Sequence, residues 1–348
     1  MSPFVRISAF ALLFGVSGCE LSDEIELGQR AQEIANGDLN SDNPSTGFLV
    51  MGAEINGQLT QIGTCSLTAV TNQAGVVSSQ AVATARHCVR IADPGGPIPQ
   101  GTELRAEDLL VFFSQQPGVQ DVPIAVEEIE YHPTADLAML KLATPAPAAA
   151  TLVNNTPLEG LVGQSVRIAG YGIASLNGQD AGTKRGGTST LLTVAPVNQA
   201  LRNAPQALIN GVERAGEVLF LGNQEGAPAG SNLCPGDSGG STFMDVGGEQ
   251  VLVGVNAQII SPAVNGEVDC TDRELIGVSV RLDRYSDFVN GFIARTDAIP
   301  NSRRGNGVIG ACSSGGSSGG NALAMLLALS TLWFRRYHAG NSATTDQS

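Results

Sequence analysis

Short runs of apolar residues, broken by Gly, Pro and Asn, recur through the middle of the chain. They include Phe48–Glu54, Ala81–Ala85, Leu109–Phe113, Ala138–Leu142, Val166–Ala169 and Gln250–Val255. Alternating runs of about 4–8 residues between turn residues predict β-strands. Many of them in succession predict an antiparallel barrel or sandwich. One segment departs from this pattern. Asp283–Arg295 carries apolar side chains at Tyr285, Phe288, Val289, Phe292 and Ile293, the spacing of one helix face. The expected region is therefore all-β with a helix near its end.

The two ends of the chain read differently. Arg6, the apolar run Ile7–Val16 and the small pair Ser17-Gly18 have the order of an export signal. The run is too short for a membrane span of ~20 residues. Val16-Ser17-Gly18-Cys19 resembles a bacterial lipobox, which implies lipidation of Cys19; an ordinary secretory signal is the alternative. Residues 20–33 are polar and acidic without apolar periodicity and read as a propeptide.

At the other end, residues 297–320 are polar and rich in small residues, closing on Cys312-Ser313-Ser314-Gly315-Gly316-Ser317-Ser318-Gly319-Gly320. The apolar run Ala322–Phe334 and Arg335-Arg336 follow, with Trp333 at the junction. Arginines beside an apolar run stay cytoplasmic, and tryptophan suits the interface. This arrangement resembles bacterial C-terminal sorting signals of the GlyGly-CTERM or MYXO-CTERM type. The resemblance implies a sorting protease and display on the cell envelope or release. A permanent anchor, or a tail packed on the domain, is the alternative. The expected organisation is a signal over 1–18, a propeptide over 19–33 and a folded domain over 34–296. A linker over 297–320, a sorting or anchor segment over 321–337 and a tail over 338–348 complete it.

Composition narrows the function. Of 348 residues, 43 are glycine and 17 proline, and only 15% are charged, which suits a loop-rich β protein. The formal net charge of -14 argues against a nucleic-acid partner. Six cysteines in an exported chain point to disulfides. No pattern calls for a metal or a cofactor.

Three motifs carry chemistry. Cys234-Pro235-Gly236-Asp237-Ser238-Gly239-Gly240 sets a serine among small residues, where its hydroxyl and nearby N–H groups can be exposed. Upstream stand Thr84-Ala85-Arg86-His87-Cys88 and Asp136-Leu137-Ala138-Met139-Leu140-Lys141-Leu142. In this order the three resemble the trypsin/chymotrypsin family of serine proteases, over about Ile34–Arg295. The resemblance implies two antiparallel six-stranded β-barrels, with Val166–Gly172 opening the second and a helix closing the fold.

It also implies roles. A serine hydroxyl needs a base to become a nucleophile. Ser238 would be the nucleophile, His87 its base and Asp136 the group that orients the imidazole. His132 is expected to be a surface loop residue, and His338 lies beyond the apolar tail. The N–H groups of Gly236 and Ser238 would form the oxyanion hole. Cys65–Cys88 and Cys234–Cys270 would be disulfides, with a Cys19–Cys312 bridge less favoured. Ile34-Ala35-Asn36-Gly37 resembles a mature N-terminus, so cleavage before Ile34 would free an ammonium to pair with Asp237. Glu33 before the cut departs from the usual basic residue and puts a trypsin-like activating protease in doubt.

Asn232 would be the pocket floor, Ile259 one wall and Gly277 the other. Asn232 bears no charge to select Lys or Arg. The wall segment ends Ala257-Gln258-Ile259 where the family has Ser-Trp-Gly, so small or medium uncharged side chains are expected before the scissile bond. The expected function is a zymogen serine endopeptidase acting on protein or peptide substrates. The partners implied are signal peptidase, an activating protease, a sorting protease and the membrane. A catalytically silent homologue that binds a surface partner, or an ester hydrolase, is the alternative.

Overall fold

The computed structural model describes residues 34, 37–39, 43–55, 58–91, 98–118, 120–173, 181–195, 216–223, 230–261 and 268–297. The export signal with Cys19, the propeptide, and the linker with Cys312 lie outside the described residues. So does the apolar tail with Trp333 and His338. Among the described residues no helix is long and apolar enough to cross a membrane.

The expected pair of barrels is present. The first is built from β1 (Thr46–Ile55), β2 (Gln58–Thr71), β3 (Ala81–Thr84), β4 (Leu109–Phe112), β5 (Ile124–Tyr131) and β6 (Ala138–Leu142). Their order β1-β2-β3-β6-β5-β4 closes on itself through the β1–β4 pair. A two-residue strand, β7 (Thr151–Leu152), adds in parallel to β2. The second barrel uses β8 (Ser165–Gly170), β9 (Arg185–Ala195), β10 (Val218–Gly222), β11 (Ser241–Val246), β12 (Glu249–Ile260) and β13 (Ile276–Arg281). Its order β8-β9-β10-β13-β12-β11 repeats the first barrel's connectivity. Closure removes exposed strand edges, the main liability of a sheet.

Burial explains why these strands carry so many apolar residues. Leu49 and Met51 of β1 point into the main core, while Phe48 and Val50 pack on Leu110 and Tyr171. A strand covered on both faces loses the apolar-polar alternation of a half-exposed one. In β6 only Lys141 among Ala138–Leu142 is not fully buried, and its ammonium pairs with Glu127 of β5 at 2.8 Å.

Hydroxyl groups join the barrels at their seam. Ser241 Oγ lies 2.7 Å from Thr46 Oγ1 and 2.6 Å from Thr68 Oγ1. The predicted helix starts as a 3-10 turn at Asp283–Tyr285 and continues as α1 (Ser286–Thr296). It follows the second barrel but buries Val289, Phe292 and Ile293 in the main core. Its last turn is tied to the first barrel, because Asp297 accepts from Ser79 Oγ at 2.6 Å and the Gln80 N–H at 3.1 Å.

Candidate active site

β3 ends at Thr84, and the chain then tightens into a 3-10 turn over Arg86–Val89. This turn presents His87. The Cys65–Cys88 disulfide, with Cα atoms 6.0 Å apart, staples the turn to β2. Asp136 comes from the loop between β5 and β6. Two features brace that loop. The Arg86 guanidinium donates to the carbonyls of His132 and Pro133 at 3.0 and 3.1 Å. His132 Nδ1 accepts from the N–H groups of Thr134 and Ala135 at 3.3 and 2.8 Å. Its ring packs against Tyr285 and Phe288. His132 is thus a built part of the loop that presents Asp136, more than a simple surface residue. Partial burial and the charge of Arg86 hold its pKa below the ordinary value, which favours the neutral ring that can accept these hydrogen bonds.

The braced loops bring His87 and Asp136 together. Asp136 Oδ1 accepts from the His87 backbone N–H at 2.8 Å, and Oδ2 lies 2.7 Å from His87 Nδ1. The carboxylate as partner assigns the Nδ1 position as the protonated one, which leaves Nε2 as the basic nitrogen. The Asp136 side chain is 12% exposed and that of His87 41%. Desolvation opposes protonation of His87, but the charge of Asp136 and its hydrogen bond outweigh it and raise the pKa.

Ser238 sits on the turn that enters β11. Two glycines shape this turn. Gly239 has φ +82, and a Cβ there would stand 2.1 Å from the Ser66 carbonyl. Gly236 has φ +96, with Gly172 Cα where its Cβ would be. Only glycine meets both demands without strain. The Cys234–Cys270 disulfide anchors the turn, with Cα atoms 5.7 Å apart. The Ser238 carbonyl accepts from the Ser66 N–H at 2.8 Å, and the Gly239 N–H donates to Asn256 O at 2.6 Å. Among the described residues the N–H groups of Gly236 and Ser238 donate to no protein acceptor. Ser66 adds a contact that the motifs did not reveal: its hydroxyl donates to the Gly236 carbonyl at 3.1 Å and accepts from the Tyr171 N–H at 2.9 Å.

His87, Gly236 and Ser238 line one cleft of about 740 Å³. In this uncut chain Ser238 Oγ donates to Ala257 O at 3.4 Å, and no hydrogen bond joins it to His87. Catalytic hydrogen bonds are often loose without substrate and tighten in the complex.

Asp237 is buried beneath the turn. Its oxygens accept from the N–H groups of Gly172 and Cys234 at 2.8 and 2.9 Å. Burial pushes its carboxyl up to about 7, against the pull of those donors and of Arg185. Arg185 pairs with Gly170 across β8 and β9, and a Cβ on Gly170 would meet Asp237 Oδ1. Ile34 is buried in the second barrel beside Val166 and Ile168. Its segment pairs with β9 through Asp38 and Gly186.

The expected pocket residues are near one another but outside this cleft. Asn232 is 3% exposed, and its amide donates to the carbonyls of Cys270 and Asp272. Ile259 and Gly277 are paired across β12 and β13. Leu233, which the motifs did not single out, fills the space against Gly277: a Cβ there would stand 3.0 Å from Leu233 Cδ1. A hydrophobic residue between Asn232 and Cys234 was the available signal.

His87 with Cys65 and Cys88 also brings three potential metal donors within 4.8 Å. The two sulfurs are bonded to each other, so neither is the thiolate that a metal needs.

Comparison with known proteins agrees with this geometry. The profile of the Trypsin family matches residues 54–289, well over half of the chain. Vitamin K-dependent protein C of Oryctolagus cuniculus is 27% identical over 199 residues, covering 52% of this chain. The matched region spans 40% of the length of that relative.

Proposed function

From the chain's membership of the Trypsin family we propose that it is a serine endopeptidase, made as an exported zymogen. One observation carries the reading: the 2.7 Å contact between His87 Nδ1 and Asp136 Oδ2, at a cleft that His87 shares with Ser238.

The chemistry follows from those groups. Ser238 Oγ attacks the scissile carbonyl carbon while His87 Nε2 takes its proton. The oxygen that becomes negative is met by the N–H groups of Gly236 and Ser238. Each such donor is worth ~2.7–4 kcal/mol to the transition state. His87 returns the proton to the leaving amine as the C–N bond breaks. Water then attacks the acyl-enzyme by the same relay. Asp136 keeps the imidazole in the working tautomer and stabilises its charged form.

The zymogen reading rests on Ile34 and Asp237. A buried carboxylate is costly unless it is closely paired, and the pull of Arg185 does not offset the burial of Asp237. Cleavage after Glu33 would free the Ile34 ammonium to supply one and order the turn around Gly236. The order of segments supports export over residues 1–18, removal of 19–33 by an activating protease and sorting through 321–337 after the linker 297–320. On this reading the protein works at a bacterial envelope or is released from it, and a lipid on Cys19 would mark the uncut zymogen and leave with the propeptide. Asn232, Ile259 and the buried Leu233 favour a small or medium uncharged side chain before the scissile bond.

The test is cleavage of a denatured protein by the processed chain, read by mass spectrometry of new termini. We expect fragments that vanish in Ser238→Ala. Fragments that persist in this variant, or none from the active form, would overturn the reading. A silent binding homologue predicts the latter, and an ester hydrolase predicts ester turnover alone.

A further inference from the structure

We propose that this protein selects substrates chiefly by a large apolar side chain on the leaving-group side of the scissile bond. The cleft beside His87 would seat it. The inference rests on the endopeptidase reading and extends it to substrate class.

Ser238 stands between two unequal surfaces. On the second-barrel side, two described residues of the expected pocket are turned into the fold. Leu233 is 2% exposed and packs where a Gly277 side chain would begin, and the Asn232 amide is consumed by two carbonyls. Among the described residues of that wall, neither side chain is left open to read an incoming one.

On the first-barrel side lies the cleft of about 740 Å³, within the ~300–1,000 Å³ of ligand sites. His87 and Cys65 line it at the reactive end. β1 and β2 contribute Met51, Ile55 and Ile62, and the segments after His87 contribute Ile91 and Ile98. Gly63 makes room for Met51: a Cβ there would stand 2.7 Å from Met51 Cε. Ile62, which also lines the cleft, is an apolar side chain left 37% exposed.

Among the described residues the one permanently charged lining residue is Arg90. Its Nε and terminal nitrogen both donate to the Gly101 carbonyl, at 3.1 and 2.8 Å, so the guanidinium is turned to its own loop. Among the described residues the cleft therefore offers apolar area and no carboxylate. The apolar area favours a leucine, isoleucine or phenylalanine over a polar residue.

The side of the bond follows from the proton path. His87 delivers its proton to the leaving amine, and this cleft opens along His87 on the first barrel. The acyl part stays on Ser238, beside the second-barrel wall.

The experiment uses the exported, processed protein and a peptide library varied on both sides of the bond, with kcat/KM by mass spectrometry. We expect Leu, Ile or Phe over Gly or Asp on the leaving-group side by about tenfold or more. The spread among small and medium residues on the acyl side should be smaller. Within one Ile62→Glu variant, the ratio of Leu-bearing to Gly-bearing peptide should fall by a similar factor. A library in which acyl-side residues dominate and leaving-group residues rank evenly would overturn the proposal. So would an unchanged ratio in Ile62→Glu. Peptide cleavage by Ser238 itself separates the two failures. If the library is cut in a Ser238-dependent way without leaving-group preference, only this inference falls; if no peptide is cut, the endopeptidase reading falls.

Discussion

The Ser66 hydroxyl donates to the Gly236 carbonyl at 3.1 Å, reaching from the first barrel to the turn that carries Ser238. A peptide carbonyl held in place fixes the plane of the next peptide unit. Ser66 thereby limits how the turn around Gly236 can rotate. Ser66→Ala should lower kcat by about tenfold, as expected for a misaligned oxyanion donor, with little change in KM. Steady-state kinetics on one peptide checks this. A rise in KM at constant kcat would assign Ser66 to substrate binding instead.

Asp136 raises the His87 pKa, and the base must be neutral to act. Activity should therefore rise with pH through a pKa above the ordinary ~6.5 of histidine. Asp136→Asn removes the raising charge, so the acid limb should move to lower pH. The plateau should fall by about 10⁴-fold because the tautomer is no longer enforced. The pH profile of kcat/KM for both proteins measures both effects.

Asp237 links activation to stability. Its folded pKa is about 7, whereas an unfolded aspartate titrates near ~3.9. Between those values the folded chain holds a proton that the unfolded chain has lost. The contribution of Asp237 therefore falls as pH rises from about 4 to about 7. Urea midpoints of the uncut chain should drop over this window relative to Asp237→Asn. After cleavage before Ile34, pairing with the new ammonium should abolish that difference in slope. Equal slopes for the uncut chain and the variant would show that burial does not hold the proton.

On the proposed reading, Leu233 occupies space beside Gly277 that a substrate side chain would need. Leu233→Ala should cost about 2–5 kcal/mol of stability, the usual range for a buried leucine. It should also raise kcat/KM for larger residues before the scissile bond relative to alanine. Chemical denaturation and a short peptide series test the two effects separately.

How far the sequence reveals this molecule depends on what each residue signals locally. β1, β3, β4, β6, β8 and part of β12 were legible because they are covered and therefore apolar. β5 was not, because Glu127, Glu128 and Glu130 face outward and hide its apolar positions. β2 mixes Gln, Thr and Ser with its apolar residues, since its hydroxyls serve the seam. The helix was legible from its spacing, short of its last residue. The motifs brought out His87, Asp136 and Ser238, and both cysteine pairs were legible from the family resemblance. Ser66, Leu233 and the bracing by His132 were not. Their roles arise from partners on other strands or loops, and nothing in their immediate sequence marks them.

The central claim is that an imidazole steered by Asp136 activates Ser238. The direct measurement is reaction of the processed protein with a fluorophosphonate, followed by mapping of the modified residue. The account predicts one adduct, on Ser238, at a rate that rises with pH through the His87 pKa and collapses in His87→Ala. An adduct elsewhere, or labelling of Ser238 at the same rate in His87→Ala, would contradict it.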